Sequence, residues 1–330
     1  MIGTSRPFTV RVRSAARVRR TLWQRSMAMG VLLTLSGCAS AGPLDIRGPL
    51  SGSQPQHINW CGMLKLPTET PQGIPLGGLS DLAYDQATNT LYLISDRGRL
   101  YRAHPVFAAG QLDALNIDHS WRLRDDQGRP LHMPHADSES MTLIEQDGDK
   151  QLLIGFEEDH RLQRFDLEGH PIGPALRPDS LNGAQYNGSL EAVTGNSLTD
   201  AIAGLEAPPS GAPAKTTRLF DLHGHQWHYR LAEDTASSLT SMAPLDDDLL
   251  TLERAFKPFH PLVISLRRAH LNADGTTTVT TLARLSSVDG WLLDNFEGLT
   301  RIGKRRYLMV SDDNFNTFQS SLLACFEIPQ

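Results

Sequence analysis

Carboxylates recur along this 330-residue chain, each time beside a short apolar strand. In DNFEGLTRIGKRRYLMVSDDNFN, residues 294–316, Asn295 and Glu297 precede one apolar run, and Asp312, Asp313 and Asn314 follow the next. The start of one strand and the end of its antiparallel partner share an edge, so these groups should emerge together. Four other segments repeat the placement: Ser80 and Asp81 with Asp96 and Arg97; Asp137 and Glu139 with Glu157 and Glu158; Asn187 and Glu191 with Glu206; Thr240 with Glu253 and Arg254. If the first strand of each unit is the innermost strand of a ring, all of them converge on one mouth. Carboxylates gathered there repel one another unless they are protonated, paired with Arg97 or Arg254, or neutralised by a cation. Oxygen-only ligands from loops suit Ca²⁺ better than zinc. Asp96, Glu157, Glu206, Glu297 and Asp312 are the expected metal ligands. Glu139 and Glu191 are candidate bases for activating water, and Arg254 would balance developing charge. The plainer alternative is that each acid caps its own strand by accepting from nearby backbone N–H groups.

The elements that must hold these residues are short apolar runs separated by turn residues, without a long stretch of helical period, which predicts an all-β chain. Segments beginning at Gly78, Ser138, Ser189, Ser238 and Phe296 align as strand, turn, strand and charged end. Their leading positions, Ser80, Glu139, Glu191, Thr240 and Glu297, are 59, 52, 49 and 57 residues apart. Such a period suits one four-stranded propeller blade, so the repeat predicts a β-propeller of five blades, with six left open. FDLEGHPI at Phe165 and FDLHGHQW at Phe220 are near copies of one hairpin turn. That likeness argues against reading His223, His225 and His228 as a zinc cluster. The fifth unit supplies three strands, and CGMLKL at 61–66 is available as its fourth, closing the ring by pairing the two ends of the chain. Cys61 and Cys325 then fall on neighbouring strands, where a disulfide is expected in an exported protein.

Export is expected from the first residues. Residues 1–37 carry seven Arg and no acid, then the apolar run MAMGVLLTL and LSGC ending at Cys38. This reads as a lipoprotein signal with Cys38 as the lipidated residue, the alternative being an ordinary signal cut near Ala41. Arg19 and Arg20 before Thr21, Leu22 and Trp23 also resemble a twin-arginine motif, so the export route stays open. Residues 38–58, rich in Gly, Ser and Pro, are expected to be a flexible tether, and 59–330 the propeller domain. The predicted place is the cell envelope on the periplasmic side, with the outer membrane favoured and membrane contact through the lipid anchor only. The formal charge of the whole chain is −6, and without the seven leader arginines it is −13. A domain so acidic is not built to bind nucleic acid by bulk charge.

GLSDLAYDQATNTLYLISDRG, the SESM segment, NGSLEAV, NFEGLT and SDDNFNTFQSSLLACFEI together resemble the bacterial phytase-like family, described by its esterase-like activity of phytase. The likeness covers roughly residues 75–328 and implies a propeller that hydrolyses a small-molecule phosphoester or ester. Thr240 departs from the pattern, standing where other units carry Glu. The chain has no GxSxG elbow, RHGxRxP segment, P-loop or HExxH, so any hydrolysis would be metal-assisted. A propeller that binds a ligand or envelope partner without chemistry is the alternative, because fold does not fix function.

Overall fold

The structure, a computed structural model, describes residues 42–48, 57–316 and 318–330. The signal segment and Cys38 lie outside them. Two strands, β1 (Gly42–Leu44) and β2 (Asn59–Lys65), precede five sheets. Blade one is β3 (Leu79–Asp85), β4 (Thr90–Ser95), β5 (Arg99–Ala108) and β6 (Gln111–Arg122). Blade two is β7 (Ser138–Gln146), β8 (Asp149–Phe156), β9 (Arg161–Phe165) and β10 (Pro171–Leu176). Blade three is β11 (Ala192–Thr194), β12 (Ile202–Gly204), β13 (Thr216–Asp221) and β14 (Gln226–Arg230). Blade four is β15 (Ser237–Leu245), β16 (Asp248–Ala255), β17 (Val263–Leu271) and β18 (Thr277–Ser286). Blade five is β19 (Asn295–Arg301), β20 (Arg306–Asp312) and β21 (Leu322–Glu327), to which β2 and then β1 add. The protein is an all-β propeller of five blades, and no described residue belongs to an α-helix.

The burial pattern explains the ring. β3 and β4 are buried along almost their whole length, whereas the outer strand β18 is half-buried or exposed over its first six residues. A sheet apolar on both faces must cover both, and here each blade packs on its two neighbours. Leu308, Val310 and Leu323 of blade five meet Leu79, Leu82 and Leu91 of blade one in one core, which closes the circle. β2 pairs with β21 to seal blade five, and Cys61 is bonded to Cys325 with 4.9 Å between their Cα atoms.

The expected tether is shorter than its composition suggested. Gly42–Leu44 pairs with Met63–Lys65, Arg47 bridges to Trp291, and Ile46 is buried among Trp291 and its neighbours. A strand there covers the outer edge of β2, which would otherwise present unpaired N–H and C=O groups. Gly, Pro and Ser content does not register that edge.

Candidate functional site

Four of the five leading positions found in the repeat are β-bulge residues. Ser80, Glu139, Thr240 and Glu297 are each skipped in the pairing between the first and second strands of their blades. Glu191 stands immediately before β11. A bulge adds one unpaired residue and re-aims its side chain, so the repeat that marks the blades also marks where side chains turn out of the ladder. The residue after the bulge is Asp81 in blade one, and it does something different. Its Oδ2 accepts from Met141 N at 2.7 Å, while Oδ1 accepts from Leu299 N at 3.1 Å and Ser241 Oγ at 3.2 Å. Asp81 therefore ties β3 to β7, β15 and β19 across the centre, fully buried, instead of facing the mouth as expected. Burial pushes its carboxyl well above the usual range, against the opposing pull of those donors. Gly298 makes room for it, since a Cβ there would lie 2.7 Å from the Asp81 Cα.

Above this tie the carboxylates converge. Carboxylate oxygens of Asp137, Glu139 and Glu157 all lie within 4.8 Å of one another, and so do those of Glu157, Glu191 and Glu206. Glu157 belongs to both sets. Of its two oxygens, Oε1 accepts from the backbone N–H groups of Gly188 and Ser189, the latter at 2.8 Å. Arg254 enters from blade four: Nη1 donates to Glu297 at 2.8 Å and to Asn295, and Nη2 to Glu206 at 3.2 Å. Asn295 also donates to Glu297 at 2.7 Å. Asp312 accepts from Asn314 N and Asp313 from Gly78 N, so these two serve partly as the strand caps of the plainer alternative. Asp96 has one buried oxygen, Oδ1, without a hydrogen-bond donor.

Burial and crowding raise the acids together. Burial pushes Asp96 to about 7, with the charge of Asp312 adding, and Glu157 to about 7 against its two N–H donors. Burial likewise raises Glu297 to about 8 in spite of Arg254, and Asp312 to about 6. Glu139 and Glu191 are driven well above the carboxylate range, first by burial and then by neighbouring acids. Charge is scarce on the other side: among the described residues, Arg254 is committed to its three partners and Arg97 lies over the Phe315 ring at 3.7 Å.

Sequence spacing placed Glu253 at this mouth, and the structure does not. Glu253 points the other way, accepting from Tyr229 Oη at 2.6 Å, Ala232 N at 2.7 Å, Ser237 Oγ at 2.8 Å and from Arg267. Side chains alternate along a strand, so only one of Glu253 and Arg254 can face the channel. Thr240 is buried with its hydroxyl directed to Leu252 O and Phe296 O, leaving Arg254 as the contribution of blade four. Of the expected metal ligands, Glu157 and Glu206 fall in the close sets, together with Glu139 and Glu191, which were expected as bases. Glu297, Asp312 and Asp96 stand outside those sets. Asp137 joins them, with no signal beyond its place just before β7.

One further buried group lacks a partner. Ser189 donates its N–H to Glu157 and receives the amides of Glu191 and Glu206 on its carbonyl, yet its buried hydroxyl has no partner. Calcium–oxygen distances of about 2.3–2.6 Å allow ligand oxygens up to roughly 5 Å apart, which the two close sets satisfy. A surface cleft of about 620 Å³ lies elsewhere, between the 123–137 connection and β9 and β10. Its buried Arg161 is already spent on Asp159 and the His135 carbonyl. The turn histidines are local: His225 pairs with Asp221 at 2.6 Å, as His170 pairs with Asp166 at 3.0 Å in the copied turn.

A family model described as Phytase-like: Esterase-like activity of phytase matches residues 74–315. The comparison with curated proteins finds no match. Among solved structures the chain is similar to U3-55K, at 8% identity and TM-score 0.41, covering 76% of this chain and 95% of that one. It is also similar to the Pan2 WD40 domain of Neurospora crassa, at 10% identity and TM-score 0.40, covering 87% and 97%.

Proposed function

The chain belongs to the phytase-like family, and from that premise we propose that it is a metal-assisted hydrolase of phosphoesters or carboxyl esters, acting at the acidic mouth. The observation that carries this reading is the pair of close carboxylate sets, Asp137 with Glu139 and Glu157, and Glu157 with Glu191 and Glu206, the oxygens of each within 4.8 Å of one another. Glu157, common to both close sets, would hold the cation with Asp137 on one side or with Glu206 on the other, calcium by the chemistry of an all-oxygen set. When bound, it supplies a Lewis acid for the phosphoryl or acyl oxygen. Glu139 and Glu191 exchange a proton with water or the leaving oxygen, which their raised affinity for protons suits. Arg254 holds Glu297 and Glu206 in place and keeps the ring from carrying its full negative charge.

Purified mature protein should turn over generic phosphomonoesters or carboxyl esters with calcium and lose that turnover with chelator. Glu139→Gln should lower kcat by about 10²- to 10⁴-fold while the melting temperature holds. No turnover of either class with any divalent cation would leave the second reading, a propeller that binds without chemistry. That reading is favoured by Arg254, whose two Nη atoms are held by Asn295, Glu297 and Glu206.

We further propose that the protein is exported and lipid-anchored in the cell envelope through Cys38. Cys38→Ser should then release the protein from membranes or leave its signal uncleaved. A variant that fractionates and migrates like the parent removes the anchor from the proposal.

A further inference from the structure

A cleft of about 400 Å³ opens where the connection from β14 to β15 meets β17 and β18. Its floor is one face of that strand pair. Ser265 and Arg267 are two apart on β17 and so point the same way, and their partners across the ladder are Arg284 and Thr281. All four line the cleft. Arg267 is 9% exposed, and its Nη1 makes every hydrogen bond of the side chain among the described residues: to Glu253, to the Arg230 carbonyl at 2.8 Å and to Tyr229 Oη at 3.4 Å. Its Nη2 has no acceptor among those residues and, unlike Nε, is not enclosed, so it opens on the cleft. The Ser265 hydroxyl stands likewise, on a residue 3% exposed. A guanidinium kept only for a carboxylate forks two nitrogens onto it, as Arg102 does on Asp118 and Arg284 on Asp234. Glu253 also accepts from Tyr229 Oη, Ala232 N and Ser237 Oγ, so one nitrogen of Arg267 completes it. Ala232 lies in the connection that covers the cleft, so one buried carboxylate fixes both floor and roof.

The donors here are unanswered, and the acids are not. Both oxygens of Glu233 accept from cations, Arg230 at 2.6 Å and Lys215 at 3.1 Å, and both oxygens of Asp234 accept from Arg284, at 2.6 and 3.2 Å. No carboxylate of the lining is left to hold a cation, so a ligand that fits must bring acceptors. Opposite residues of a ladder stand about 5 Å apart and alternate residues about 7 Å apart, a spread that one tetrahedral oxyanion can bridge. Donors arriving from two strands suit its several oxygens better than the two of a planar carboxylate. We infer that this cleft binds the phosphate group of a small molecule, with Arg267 Nη2 and the hydroxyls of Ser265 and Thr281 donating to its oxygens. The volume leaves room for an organic body beside Leu231. None of these residues belongs to the two close carboxylate sets, so the inference stands apart from the reading of the mouth.

The probe is inorganic phosphate, titrated calorimetrically into the purified mature protein with chelator present and ionic strength held constant, with acetate as the comparison. Phosphate should bind about tenfold tighter than acetate. Ser265→Ala and Thr281→Ala should each weaken phosphate about three- to tenfold, the range of one hydrogen bond. Arg267→Lys keeps a charge for Glu253 but removes Nη2, and should weaken it about tenfold or more. Arg124→Gln, in the cleft beside β9 and β10, should leave it unchanged. Melting curves report whether each variant has folded, and if Arg267→Lys does not fold the two hydroxyl variants decide. Phosphate that does not bind, or acetate that binds as well, overturns the proposal. It is equally overturned if both folded hydroxyl variants bind phosphate like the parent, or if Arg124→Gln weakens binding as much as they do. A protein that binds phosphate as expected yet hydrolyses no ester keeps this inference and loses the hydrolase reading.

Discussion

Calcium is expected to raise the melting temperature of the domain at pH 8 by about 5 to 10 °C, and to do little at pH 5. The rise corresponds to roughly 2.7 kcal/mol, the stabilisation given by a ligand of the folded state at a hundred times its Kd. The pH difference comes from the acids. Asp96 and Glu157 hold their protons to about 7 and Glu297 to about 8 in the folded protein, against ordinary values of 3.8, 4.5 and 4.5. Between pH 4 and 7, as these shifts run, the folded state binds protons that the unfolded chain has released. Stability without metal is therefore greatest below that window and falls as pH rises through it. A cation takes the place of those protons, so its effect grows as they leave. Glu157→Gln removes the residue common to both close sets and should abolish the rise. Glu168→Gln, on the exposed FDLEGH turn, should preserve it. Melting curves at both pH values, with calcium and with chelator, decide the matter: equal shifts in the parent and in Glu157→Gln would place the ion elsewhere.

Breaking the Cys61–Cys325 bond should cost about 2 to 5 kcal/mol. The two cysteines are 264 residues apart in the chain, so the bond removes loop-closure freedom from nearly the whole unfolded domain. It also joins β2 to β21, the pairing that closes blade five. The paired Cys61→Ser, Cys325→Ser variant should unfold at lower denaturant with the fold retained. Free-thiol labelling of both cysteines in the denatured, unreduced parent would show the bond absent, and an unchanged midpoint in the variant would show it idle.

Much of this molecule was legible from residues alone. A repeat near fifty residues, with apolar runs alternating with turns, can bury its sheets on both faces only in a ring, and a fourth strand lacking at one end had to come from the other. The same repeat led to Glu139 and Glu297 at recurring bulges and to Glu191 at the equivalent place just before β11. Three things were decided by tertiary structure. Whether Glu253 or Arg254 faces the channel depends on the phase of β16, and the skipped residue at Thr240 shifts the register of β15 against it. Asp81 looked like one more acid of the mouth, but its oxygens find N–H groups on strands 60 and 218 residues away, and spacing along one chain carries no information about such partners. The strand at Gly42–Leu44 has a linker's composition, and it is ordered because β2 leaves an edge that some backbone must cover. Local pattern reports which residues a strand can bury; only the assembled ring determines which side of it each polar group meets.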